Sequence, residues 1–201
     1  CFLHTPDPRS VFEVSEEERE AFFETLYAHR GFGLWQGNFR DVLTDRAANA
    51  LLSDFVARKI RQRVRDPFVA ELLIPKDHGF GTRRVPLETG YYEVYNQPNV
   101  TLVNIGAAPI ERITATGLRT AEAAYDFDMI IYATGFDAIT GSFDRIDIRG
   151  AGGQRLRDAW ADGPQTFMGV QVAGFPNMFM LMGPHTALGN MPRSIEYNVD
   201  W

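Results

Sequence analysis

At 201 residues, with 45% hydrophobic and 23% charged residues, the chain has the balance of a globular protein and is long enough for one large domain or two small ones. A formal net charge of −6 argues against a general nucleic-acid binder, and no apolar run is long enough for a membrane span or a signal peptide. Cys1 is the only cysteine, which rules out an internal disulfide and suits a reducing, cytoplasmic setting. The chain opens on Cys1 instead of Met and stops at Trp201 inside what reads as a helix, so both ends are expected to be cut.

Residues 1–13 carry Pro6 and Pro8 and read as irregular. Ser15 followed by Glu16, Glu17 and Glu18 is a helix start, with Ser15 as N-cap and Glu18 completing a capping box. Phe22, Leu26 and His29, beside Phe23 and Tyr27, continue an apolar stripe to about Arg30. Gly31-Phe32-Gly33 ends this helix. Gly31, Gly33 and Gly37 have the spacing G-x-G-x-x-x-G after a helix, not G-x-G-x-x-G after a strand, so they are no dinucleotide fingerprint. Thr44 or Asp45 caps a long helix to about Val64 that buries Ala48, Leu51, Leu52, Phe55, Ile60 and Val64. Its basic end, with Arg58, Lys59, Arg61, Arg63 and Arg65, fits cations near a helix C-terminus. Asp66-Pro67 starts another short helix.

From Leu73 the period changes. Pro75, Gly79, Gly81 and Pro86 punctuate a loop, and residues 89–95 read as a helical turn. Residues 100–104, 110–114 and 125–133 read as strands, with Gly117 in a turn between the last two. Residues 144–148 read as a short strand, 156–160 as helix-like, 178–182 as a second buried strand and 192–201 as a helix. The run Met129 to Ala133 is continuously apolar or aromatic, as in a central strand covered on both faces. It ends at Thr134-Gly135, where exposed backbone donors would meet a cofactor, although any buried strand can end in Gly.

Two further segments carry candidate chemistry. In Phe80-Gly81-Thr82-Arg83-Arg84-Val85-Pro86, adjacent arginines on a Gly-punctuated loop suit phosphate or another anion, or are solvated surface charge. In 175–184 a strand delivers the turn Gly183-Pro184, and a loop leads to the start of the helix at 192–201. His185 reads either as a group that tunes pH behaviour or as an exposed loop histidine.

Ala133-Thr134-Gly135-Phe136-Asp137-Ala138 resembles the late ATGF(D/E)A motif of the flavin-dependent Baeyer–Villiger monooxygenases. The Arg83-Arg84 loop is similar to that family's (K/R)R loop, and Asn190-Met191-Pro192 to its flavin-facing loop. The resemblance runs from about Val14 to Trp201 and concerns the later part of such an enzyme. Both G-x-G-x-x-G fingerprints and the F-x-G-x-x-x-H-x-x-x-W motif of the family are absent.

The resemblance implies an α/β fold: part of a flavoprotein with two dinucleotide-binding domains, preceded by a helical unit. Residues 1–74 would be that unit, 75–138 part of the NADPH-binding domain with a linker strand, and 139–201 part of the FAD-binding domain. It also implies cofactors FAD and NADPH, the co-substrate O₂, a ketone substrate and an ester or lactone product. Arg84 would be the catalytic arginine. Arg83, commonly Lys in the family, would meet the 2′-phosphate of NADPH. Thr134, Gly135, Gly183, Pro184, Asn190 and Met191 would border the cofactors. An N- or S-oxygenating flavin monooxygenase and a non-catalytic docking fragment are the alternatives. The expected partner is the missing N-terminal portion of the same enzyme, with no nucleic acid, membrane or metal. The strands at 128–133 and 178–182 are expected to lie in different sheet regions with open edges, because they would pair with segments this chain lacks.

Overall fold

A computed structural model describes residues 4–186 and 190–201. The chain forms two compact units, Cys1–Met129 and Ile130–Trp201.

The first unit is built on helices. Helix α1, Glu16–Ala28, starts where Ser15 Oγ accepts the Glu18 amide at 3.2 Å. The other half of the expected capping box goes elsewhere: the Glu18 carboxylate takes Arg9 at 2.6 Å. A short turn α2, Gly33–Gln36, leads to α3, Arg46–Arg63, whose N-cap is Asp45, accepting the Ala48 amide at 2.9 Å. Helix α4, Pro67–Leu73, is capped by Asp66 with Pro67 at its first position. The buried faces of α1 and α3 meet around Phe23, Phe39, Leu52 and Phe55, with Phe23 and Phe55 centroids 5.4 Å apart. A second cluster joins Ala57, Ile60 and Val64 to Ala70 and Ile74. The basic end of α3 is consumed by carboxylates: Arg58 pairs with Glu20, Lys59 with Glu24 and Arg61 with Glu71.

Beyond α4, the short helix α5, Tyr91–Val94, precedes an antiparallel meander of β1, Ile110–Ile113, β2, Gly117–Thr120, and β3, Ala124–Asp126. Gly117, expected in a turn, instead pairs with Asp126 inside the ladder. A Cβ on Gly117 would fall 1.9 Å from the Tyr125 carbonyl oxygen, so the two backbones approach as only glycine allows. Residues 100–104 form no strand.

The central strand expected at 128–133 is absent. β3 ends at Asp126, the Phe127 amide still donates to the Thr116 carbonyl at 2.8 Å, and residues 129–138 then form no regular structure, with Met129, Ile131, Tyr132 and Phe136 exposed. The physical reason is the lack of a partner: a strand needs a neighbouring ladder, and no described segment offers one here.

In the second unit α6, Gly141–Asp144, a 3₁₀ turn, Ala151–Gly153, and α7, Leu156–Ala159, surround a small core of Leu156, Trp160, Val172, Phe175 and Met180. The strand expected at 144–148 is not formed; α6 ends at its first residue. Residues 178–182 also form no strand. The Met180 amide donates to the Val170 carbonyl at 2.8 Å and Met180 is buried, while Phe179 and Leu181 face outward. Helix α8, Met191–Asp200, is capped by Asn190. Among the described residues no helix is long and apolar enough to cross a membrane.

Candidate functional site

The Arg83-Arg84 loop is held from below by two residues on α3. The carboxamide of Asn49, buried within the apolar stripe, donates to the Val42 carbonyl at 2.7 Å and the Phe80 carbonyl at 2.9 Å. Ser53, one turn on, accepts the Phe80 amide at 2.9 Å and donates to Asn49 Oδ1 at 3.1 Å. Trp35 Nε1 donates to the Gly81 carbonyl at 3.1 Å. Gly81 has φ +78°, and a Cβ there would lie 2.7 Å from the Trp35 ring, so both conformation and space demand glycine. The Thr82 hydroxyl closes the turn on the Gly79 carbonyl at 2.8 Å.

Downstream, Arg63 ties the loop to α3. It donates to Glu88 at 2.7 Å and to Glu93 at 2.5 Å, and its guanidinium lies 4.9 Å from the Tyr92 ring centroid. The hydrogen bond from Arg63 holds the Glu93 carboxyl down at about 2. The hydroxyl of Tyr95 donates to that of Tyr91 at 3.0 Å, and this bond pushes Tyr95 up to about 12.

The two arginines are thus presented by a loop fixed at both ends, and both line a cavity of about 510 Å³. Its floor is apolar, formed by Val56, Ala57, Ile60 and Ile74. Arg83 pairs with Asp77 at 2.9 Å, an exposed contact. Asp77 is lowered below the usual carboxylate range, first by its hydrogen bond with His78. Arg84 has a different neighbour: its guanidinium carbon lies 5.7 Å from the Phe32 ring centroid. Among the described residues no carboxylate is within ion-pair distance of Arg84. Asn49, Ser53, Trp35 and Phe32 were not singled out from sequence as loop supports. Asn49 alone left a signal, a polar residue inside a buried stripe.

The remaining expected site residues lie in the second unit. Thr134 and Gly135 are exposed on the irregular stretch after β3; Gly135 has φ +85°, and an added Cβ would meet nothing within 4 Å. Its positive φ favours glycine, and no other described residue approaches it closely. Gly183 is the opposite case, since a Cβ would fall 2.4 Å from the Gly169 carbonyl oxygen. Around it, Met182 and His185 both adopt positive φ, +62° and +77°. The Thr166 hydroxyl donates to the Pro184 carbonyl at 3.3 Å and lies 2.9 Å from His185 Nδ1. Asn190 caps α8, accepting the Arg193 amide at 3.3 Å, and Met191 is the first residue of that helix, with its side chain exposed. The segment between Thr186 and Asn190 lies outside the described residues.

No family model matches the chain. It is 61% identical over 185 residues to the 2-oxo-Δ³-4,5,5-trimethylcyclopentenylacetyl-CoA monooxygenase of Pseudomonas putida, covering 92% of this chain and 34% of that protein. It is 43% identical over 190 residues to a Baeyer–Villiger monooxygenase of Pseudooceanicola batsensis, covering 94% of this chain and 34% of that protein. A solved structure of OTEMO in complex with FAD and NADP superposes with a TM-score of 0.93 at 57% identity, over 99% of this chain and 37% of that one. The chain therefore spans about a third of the length of the relatives it matches. With that similarity over nearly all of its residues, and a fold of mixed helix and sheet that matches part of a flavoprotein monooxygenase, the chain belongs to the Baeyer–Villiger monooxygenase family.

Proposed function

We propose that the chain works as part of an NADPH- and FAD-dependent enzyme that converts a ketone to an ester or lactone with O₂, in the cytoplasm, together with the remaining two thirds of such an enzyme. Residues 1–74 serve as its helical unit, 75–138 as part of the NADPH-binding domain and linker, and 139–201 as part of the FAD-binding domain. The observation that carries the reading is Arg84: an arginine lining a cavity with an apolar floor, on an anchored loop, with no carboxylate in ion-pair range among the described residues.

The chain's residues fit part of the cofactor set. Arg83 offers a planar, permanently charged donor whose present partner is an exposed aspartate, and an exposed ion pair is weak enough for a phosphate to displace. The sequence carries no G-x-G-x-x-G cradle for a pyrophosphate, so tight FAD binding is expected only together with the rest of the enzyme. When bound, FAD supplies the passage of electrons from NADPH to oxygen. Arg83 holds the 2′-phosphate of NADPH. Gly183, Pro184, Asn190 and Met191 border the flavin, and Thr134 and Gly135 lie beside the cofactors. Arg84 stabilises negative charge as it develops on the substrate oxygen. The apolar cavity floor keeps water from screening that charge.

The test is Arg84→Ala in the full-length enzyme. FAD stays bound while ester formation falls by about 10²–10³, or about 2.7–4 kcal/mol, the usual cost of losing one fixed donor at a developing charge. Product formation within a few-fold of wild type would refute the role. Arg83→Ala should cost about 1.5–3 kcal/mol with NADPH and almost nothing with NADH, which lacks the 2′-phosphate. Steady-state kinetics with both nucleotides checks this, and equal losses would assign Arg83 to the loop's architecture instead.

A further inference from the structure

The segment Gly31-Phe32-Gly33 is not a nucleotide-binding motif, yet it lies beside the arginine loop. Gly31 leaves α1 with φ +86°, and Phe32 follows as the residue preceding α2. The Phe32 ring meets Trp35 edge-to-face, with centroids 5.7 Å apart at 72°. The same Trp35 donates to the Gly81 carbonyl, and its indole leaves no room for a side chain at Gly81. The loop is therefore pinned against one member of an aromatic pair while the Arg84 guanidinium rests on the other, 5.7 Å from the Phe32 centroid.

We propose that Phe32 is a positioning residue for Arg84, a shelf that orients the guanidinium while leaving its charge and its N–H donors unspent. The inference rests on the reading of Arg84 as the cation of the reaction. The chemistry of the contact is what recommends it. A carboxylate would also fix an arginine, as Glu88 and Glu93 fix Arg63 and Asp77 meets Arg83, but it would neutralise the cation and occupy its donors. An aromatic face attracts the cation through its quadrupole and accepts no conventional hydrogen bond. The five guanidinium N–H donors then remain for an anionic ligand. Without the ring, an exposed arginine on a loop would spread over many rotamers and meet its ligand in the required geometry only part of the time.

The experiment compares Phe32→Leu, Phe32→Tyr and Arg84→Ala. In the 201-residue chain labelled with ¹⁵N-arginine, the Arg84 Nε–Hε signal is identified by its loss in Arg84→Ala. It should carry a ring-current shift that Phe32→Leu removes and Phe32→Tyr keeps. In the full-length enzyme Phe32→Leu should lower kcat by roughly tenfold with KM for NADPH within about twofold, because misplacing a catalytic group slows the chemical step more than cofactor binding, and Phe32→Tyr should restore it. An Arg84 signal unmoved in Phe32→Leu overturns the contact. A moved signal with unchanged kcat, while Arg84→Ala abolishes turnover, overturns the positioning role. Wild-type turnover in Arg84→Ala would sink the catalytic reading of Arg84 itself, and the shelf with it.

Discussion

Phe23, Phe39 and Phe55 of the first unit are 0%, 2% and 1% exposed, whereas Ile131, Tyr132 and Phe136 of the second are 80%, 67% and 99% exposed. Both sets are large apolar side chains, so the hydrophobicity of the side chain alone does not separate them. What differs is where the backbone finds its hydrogen bonds. α1 and α3 satisfy theirs internally and need from the rest of the chain only an apolar face to pack on. The segment at 128–133 reads as strand and can satisfy its backbone only through a neighbour. Apolar burial follows backbone pairing here, and where pairing is missing the side chains stay uncovered.

The largest test of this contrast is a pair of truncations in the 201-residue chain, read by chemical denaturation. Phe23→Ala should destabilise the first unit by about 3–5 kcal/mol, because it opens a cavity between α1 and α3. Phe136→Ala should change stability by less than about 0.5 kcal/mol, since nothing packs on that ring. A cost above about 1 kcal/mol for Phe136→Ala would show that the segment is covered in solution, and the contrast would collapse.

A smaller effect is expected at Asn49. Asn49→Ala strips the Val42 and Phe80 carbonyls of a common donor and should cost on the order of 1–3 kcal/mol. Amide exchange should show the arginine loop opening more than the α1–α3 core. If the core amides exchange faster to the same degree, the loop is not a separately anchored piece.

The smallest effect is electrostatic. Glu93 is held at about 2, below its ordinary 4.5, chiefly by the hydrogen bond from Arg63. A depressed carboxylate stabilises the fold above its unfolded value, so this contribution is complete above about 4.5 and drains away as pH falls toward about 2. Arg63→Gln should flatten the fall of the first unit's denaturation midpoint over that window. An unchanged acid slope would mean that the pair is open in solution.

The helices were legible in the sequence because their determinants are local. Ser15, Asp45 and Asp66-Pro67 mark the starts, and the apolar stripes of α1 and α3 mark the buried faces. The strands were less so. The stretches at 128–133 and 178–182 have strand composition, but composition cannot supply a partner, and β2 was hidden because it begins on Gly117 and has only four residues. At the site, the two arginines were visible as adjacent cations, and the family resemblance supplied their roles. Their supports were not visible: Phe32 and Trp35 are separated from Arg84 by some fifty residues and carry no motif, and only the fold brings them near.

Gly79 shows how this loop constrains its own variation. A Cβ there would stand 1.8 Å from Asn49 Oδ1, the carboxamide that also grips the Phe80 carbonyl. Neither position can drift alone: a side chain at Gly79 evicts Asn49, and eviction of Asn49 frees the loop. A double-mutant cycle across Gly79 and Asn49 should therefore be strongly non-additive. Sequence change in this part of the molecule is channelled into paired substitutions or into the exposed positions beyond Gly81, such as Thr82 and Arg83.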